Sequence, residues 1–259
     1  MSSIGALEGS KRSETQAQQV NPDAGLCRIG LIALASDHAI EDELRHFLSP
    51  AVARVATTRI PNADRYDATT LAANAAEFEA AAQLILPAGR LHVLAYGCTS
   101  GTVAIGEAEV RRRLQRARPG AEVTTPISAA KAGLSALGAR RIALLTPYPP
   151  GLHGMVADHL RQHGFALSDE KGLGVDTDAG ITAIPERALI EASLALQRTD
   201  AEAVFLSCTA LLTAGVVEIL EARLGLPVVT SNQALAWHAL RLAGSKATLP
   251  GRGQLLRTV

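Results

Sequence analysis

Cysteine, aromatic residues and net charge are all scarce in this 259-residue chain, and each scarcity excludes something. Three cysteines cannot build a disulfide framework, and their odd number leaves at least one thiol free, so a reducing, cytoplasmic setting is expected. Aromatic side chains make up 3% of the chain, too few to favour a pocket for a large aryl group. Twenty-five basic residues balance twenty-five acidic ones, so no overall field draws the protein to nucleic acid or to an anionic membrane. A small-molecule partner fits this balance better. The longest apolar runs, such as 31–35 and 142–145, fall far short of the ~20 residues that a membrane helix needs. Residues 1–25 lack a continuous apolar segment with a cleavage pattern after it, and read as a disordered leader rather than a secretory signal.

The chain does have ample apolar material, 47% of its residues, arranged in short runs that alternate with longer stretches of helical period. That alternation predicts α/β architecture with buried parallel sheets. Strands are expected at 28–34, 52–59, 92–95, 122–124, 141–145, 165–172, 203–206 and 227–229. Helices are expected at 40–49, 70–85, 105–116, 128–137, 151–163, 186–197, 214–224 and 232–242. The order repeats: "RIGLIAL" at Arg28 returns as "RIALLTP" at Arg141, Cys98-Thr99 as Cys208-Thr209, and "EVTTPISAA" as "PVVTSNQAL", each about 110 residues on. Two similar halves follow, with seams near 126–130 and 231–233 and the last helix returning to the first half.

Both repeated cysteines fall at the carboxyl end of a strand, where ligands collect in open parallel sheets and the next helix offers unpaired N–H groups. Such a helix terminus favours thiolate over thiol. Thr99, Ser100 and Thr102 follow Cys98, and Ser207 and Thr209 flank Cys208, so hydroxyls stand ready to hold a carboxylate. Facing halves would set the two thiols on opposite sides of one small substrate. One could remove a proton from carbon while the other delivers one to the opposite face, inverting the centre. Alternatively a thiolate could add to an unsaturated diacid, allow rotation and eliminate. Cys27 stands alone and reads as packing. His159 and His163, in "HLRQH", share a helix face but lack the glutamate of H-E-x-x-H, so they read as a solvated face and no metal is expected. The stretch 61–70 reads as a long mobile solvated loop, and His92 as a core or edge histidine.

The blocks "YGCTSGTVAIG" and "LSCTALLT", together with "RIGLIALASDHAIEDELR", "RRIALLTPYPPG" and the final "GRGQLL", resemble the Asp/Glu racemase superfamily. Within it they are most similar to the branch of maleate cis–trans isomerase and arylmalonate decarboxylase, and there to its ectoine-utilisation (EutA) members. The resemblance runs from about Arg28 to Leu256. It implies catalytic thiols at Cys98 and Cys208, with substrate contacts at Thr99, Ser100 and Thr209. Tyr148 in "TPYPP" takes the place of a tyrosine that reaches the ligand. Asp37 departs from the isomerases, which have asparagine there; an ionised carboxylate would repel a substrate carboxylate and favour an ammonium or amide group. Asp37 could equally cap the helix that begins near Ile40, and Asn232 either lines the cleft or caps the last helix.

The expectation is therefore two pseudo-symmetric, Rossmann-like three-layer α/β halves with the active site in the cleft between them. Residues 26–127 plus 231–259 form one half and residues 128–230 the other. The activity expected is that of a cofactor-independent isomerase acting on a small carboxylate or amino acid derivative, set in ectoine degradation. Maleate isomerisation, arylmalonate-type decarboxylation and non-catalytic metabolite binding are the alternatives, and a homo-oligomer is the default for such an enzyme.

Overall fold

The computed structural model describes residues 25–63, 65–197 and 199–259; the expected leader, save Gly25, lies outside them. Strand β1 (Cys27–Leu34) is the first apolar run, and nearly every side chain of "CRIGLIAL" is buried because helices cover both faces. Burial of residues such as Leu31 and Ile32, fully enclosed here, contributes roughly 1.5–3 kcal/mol each. Beside it lie β2 (Ala53–Ile60), β3 (Val93–Gly97) and β4 (Glu122–Thr124) in the order β2-β1-β3-β4, every pair parallel. A second sheet repeats the plan with β5 (Arg141–Thr146), β6 (Ala166–Gly172), β7 (Ala203–Leu206) and β8 (Val228–Thr230), in the order β6-β5-β7-β8. The outer strands β2 and β6 are the polar ones, "ARVATTRI" and "ALSDEKG", as an edge in partial contact with water permits.

The helices are α1 (Ile40–Phe47), α2 (Ala68–Ala73), α3 (Phe78–Leu84), α4 (Thr99–Ile105), α5 (Glu107–Ala117), α6 (Pro126–Ala136), α7 (Pro150–Gln162), α8 (Asp178–Thr182), α9 (Glu186–Leu194), α10 (Val217–Leu224) and α11 (Ser231–Leu242). Two expected helices differ. The pattern at 105–116 is α5, and an additional short helix, α4, precedes it, divided from it at Gly106, whose φ of 92° favours glycine. The one at 70–85 becomes α2 and α3 with a 3-10 turn, 74–77, between them. Helix α8 has no counterpart in the expected set; at five residues, "DAGIT", it is too short to show a period.

Helices α6 and α11 begin alike. Each follows the last strand of its sheet, β4 or β8, through a capping box, Thr125 with Ser128 and Thr230 with Gln233, which satisfies the first free N–H groups of the helix. They pack on each other, and α11 also lies against α1, β3 and β4 while α6 reaches β8. The carboxyl ends of the two sheets are thereby drawn together. A buried carboxylate, Glu43 of α1, ties this junction: it accepts hydrogen bonds from the N–H groups of Thr213 (3.0 Å) and Ala214 (2.9 Å) and from the Thr213 hydroxyl (2.5 Å). Replacing Glu43 with alanine strands these donors in a dry interface, and urea unfolding should show a loss of about 3 kcal/mol. A loss under about 0.5 kcal/mol would mean that the tie carries no weight.

Candidate active site

Cys98 sits where β3 gives way to α4, as the residue that caps that helix, and its Sγ accepts a hydrogen bond from the Gly101 N–H at 3.2 Å. Gly101 has to be glycine, since a Cβ there would stand 2.9 Å from the Cys98 sulfur and 2.5 Å from the Tyr96 hydroxyl. Gly97 is equally constrained by Ile40, whose Cδ1 would lie 2.4 Å from an added Cβ. Cys208 lies two residues beyond β7, and its Sγ receives the Ala210 N–H at 3.4 Å. The expected helix does not start there. A turn follows instead and α10 begins only at Val217, so a helix terminus supports one thiol and not the other.

The two segments touch across the junction. The Thr209 hydroxyl donates to the Gly97 carbonyl at 3.3 Å, Thr99 and Ser231 share a hydrogen bond of 3.0 Å, and the Asn232 side-chain amide donates to the Thr209 carbonyl at 2.8 Å. Asn232 thus braces the Cys208 turn, while its carbonyl oxygen, also buried, has no partner. Ser100 lies with its hydroxyl 3.8 Å from the Cys98 sulfur, and Tyr148 is buried against Cys208. Asp37 divides its two oxygens. Oδ1 accepts the N–H groups of Ala39 and Ile40 at 2.8 and 2.9 Å, the capping role; the Thr209 hydroxyl nearby is turned to Gly97, and the buried Oδ2 has no partner.

A residue that the sequence did not single out completes the cluster. Asp178, the first residue of α8, is 5% exposed and accepts hydrogen bonds from Tyr66 (2.8 Å) and Ser36 (2.5 Å). Ser36 accepts in turn from Asn62 at 2.9 Å, and Arg65 pairs with Asp176 at 2.6 Å. Most described residues of the stretch 61–70 are exposed, as a solvated loop would be, but Tyr66 is buried and reaches from the first half to Asp178 of the second. Only the linkage to α8 could have revealed this, and α8 itself is too short to read.

The electrostatics reverse one expectation. Burial pushes the Cys98 thiol up to about 12, outweighing the Gly101 N–H, and the charge of Asp178 adds to the rise. Burial also raises Cys208 well above its ordinary value, with Asp178 and Asp37 raising it further and Tyr148 opposing them. The half charge of one short helix does not offset removal from water. Both resting thiols are neutral near pH 7.

The remaining expected residues lie elsewhere. Cys27 is buried in β1, and the His92 Nδ1 accepts the Arg28 N–H at 2.9 Å. His159 is not on a solvated face, because its Nε2 meets Glu107 at 2.8 Å and only 12% of its side chain is exposed. Lys131 also binds Glu107 there and supplies the positive charge.

Comparison with known proteins follows the same outline. The arylmalonate decarboxylase family profile matches residues 103–256. Maleate isomerase of Nocardia farcinica is 30% identical over 244 residues, covering 90% of this chain and 96% of its own. Arylmalonate decarboxylase of Bordetella bronchiseptica is 34% identical over 143 residues, 54% of this chain and 60% of its own. The structure of a Nocardia farcinica maleate cis–trans isomerase variant with a covalently bound succinylcysteine intermediate superposes with a TM-score of 0.82 at 29% identity, over 90% of this chain and 99% of that one.

The raised thiols set a pH profile. Labelling of ligand-free protein with iodoacetamide, resolved by mass spectrometry, should show a Cys98 rate still climbing above pH 10, where an exposed thiol has levelled off near its free value of about 8.5. A plateau below pH 8 would show a resting thiolate. The sign for stability is the same: the neutral thiol is the form the fold tolerates, so this contribution is complete below the unfolded value and is lost as pH rises toward about 12.

Proposed function

Because the chain belongs to the arylmalonate decarboxylase family, we propose that it is a cofactor-independent isomerase that inverts a carbon centre in a small carboxylate or amino acid derivative. The observation that carries this reading is the pair of buried cysteines at equivalent strand ends, after β3 and after β7, on segments that touch through Thr209 and Gly97. In this reading the halves are residues 26–127 with 231–259 and residues 128–230, a division that the packing of α11 on β3 and β4 supports.

The step needs one thiolate and one thiol. The thiolate takes the proton from the substrate carbon and becomes a thiol, the other thiol gives its proton to the opposite face and becomes the thiolate, and the next turnover runs in reverse. Ser100, Thr99 and Thr209 hold the substrate carboxylate with neighbouring N–H groups, and Tyr148 donates beside Cys208. Asp37 and Asn232 line the same cleft through their unpartnered oxygens. Since both thiols rest neutral, proton loss accompanies substrate binding. The resemblance of the sequence blocks to ectoine-utilisation proteins favours an N-acetylated diaminobutyrate as substrate, in the breakdown of ectoine. The succinylcysteine of the Nocardia relative supports a second reading, maleate-type cis–trans isomerisation by thiolate addition, rotation and elimination. Arylmalonate-type decarboxylation ranks third, because it leaves Cys98 without a task.

Deuterium wash-in separates these readings. Candidate amino acids incubated in D₂O should exchange at the α-carbon with wild-type protein, and Cys98→Ser or Cys208→Ser should slow exchange at least 100-fold. Binding without exchange for every chiral candidate would defeat racemisation, and fumarate formed from maleate would promote the second reading.

A further inference from the structure

The buried charges around the thiols are all of one sign. Among the described residues the buried class holds Asp37, Glu43, Asp178 and Glu221 but no lysine, arginine or histidine. Glu43 and Glu221 are structural. Glu43 carries the three donors of the 213–214 turn, and Glu221 accepts from Val228 and Gln254. Asp37 and Asp178 are different. They come from opposite sheets; burial raises Asp37 and the charge of Asp178 raises it further, both carboxyl groups raise Cys208, and Asp178 also raises Cys98.

Their hydrogen bonds leave capacity for a ligand. Asp178 receives one neutral hydroxyl on each oxygen, so each retains a lone pair. Asp37 spends Oδ1 on backbone N–H groups and leaves Oδ2, wholly buried, without a partner. A buried carboxylate oxygen without a donor is costly, and its complement is a donor that arrives with the substrate. The donor that also cancels the charge is a cation. An ammonium offers three N–H bonds from a compact centre, whereas a second substrate carboxylate would add a like charge in a dry site.

We propose that Asp178 and the free oxygen of Asp37 form a cation-recognition subsite beside the two thiols, which selects substrates carrying an ammonium group over dianionic ones. The proposal rests on the isomerase reading and names the substrate class of that site. Asp178 is the specificity residue that the sequence hid. Its hydroxyl partners, Ser36 just after β1 and Tyr66, both belong to the first half, so they hold Asp178 against it. The local field also bears on the reaction. An ammonium set between the carboxylates would offset the part of the rise in both thiols that comes from their charge, the larger part being burial.

The test uses the full chain in a Cys27→Ser background, so that Cys98 and Cys208 are the only thiols. Its modification by a cationic reagent, 2-aminoethyl methanethiosulfonate, is compared with that by the anionic 2-sulfonatoethyl reagent at low ionic strength. Each rate is divided by its rate on the same chain unfolded in urea. The cationic reagent should be favoured at least tenfold, and Asp178→Asn or Asp37→Asn should each cut that preference at least threefold. Equal rates, an anionic preference, or a preference unchanged in Asp178→Asn would overturn the proposal. Reaction with neither reagent would overturn it as well, because a site for ammonium ligands has to admit an aminoethyl group. These rates need no turnover, so charge selection and deuterium exchange stand or fall separately.

Discussion

Apposition of two strand ends, one from each sheet, is the constraint on which the site depends. β3 and β7 are inner strands flanked on both sides, and each delivers a cysteine at its carboxyl end into the junction of the sheets. Capped helices α6 and α11 pack on each other across that junction and hold it shut. Without Gly97 and Gly101 the backbone could not approach so closely, since any side chain there would displace Ile40 or the sulfur itself. The duplicated strand order therefore brings two thiols to one junction, each on its own rigid support.

Closure at this junction has a cost in charge. Removal from water raises Cys98 and Cys208, and in the ligand-free protein neither is a ready base. A two-thiol inversion nevertheless needs one of them ionised. The conflict resolves if the substrate brings the compensating interactions, so that the reactive protonation state exists in the complex and not before it. Such an arrangement keeps an activated thiolate from solvent and oxidants between turnovers. It also makes the polar groups left unpartnered in the empty site, on Asp37 and Asn232, part of the binding equation rather than defects of packing.

Much of this was legible in the chain. The inner strands β1, β3, β5 and β7 were legible as apolar runs, because parallel strands covered on both faces are written as continuous apolar segments, whereas β2 and β6 carry polar sequences. The Cys-Thr echo pointed to both thiols, which do sit at the ends of β3 and β7, whereas Tyr148 came from the family resemblance. Two kinds of feature were not legible. Helix breaks at Gly106 and at 74–77 depend on local backbone geometry that a 3.6-residue period averages over. Asp178 depends on topology: it lies 142 residues from Ser36 and 112 from Tyr66, on a helix too short to announce itself. Residues brought to a site by tertiary contact, with no motif around them, leave no local trace. The thiol state was misread for a related reason, because a helix terminus can be seen in sequence while the depth of burial that overrides it cannot.

Asp178 joins these threads. Its carboxylate accepts from Tyr66, and its charge adds to the burial that raises both thiols. A group that enters and draws on either carboxylate oxygen competes with, or adds to, the Tyr66 and Ser36 hydroxyls, so occupancy and their hydrogen bonds cannot be independent. Thermodynamic reciprocity then requires that occupancy and these two hydrogen bonds affect each other by the same factor. Specificity for charge and readiness for proton transfer are in this sense two readings of one carboxylate, placed where the halves of a duplicated fold meet.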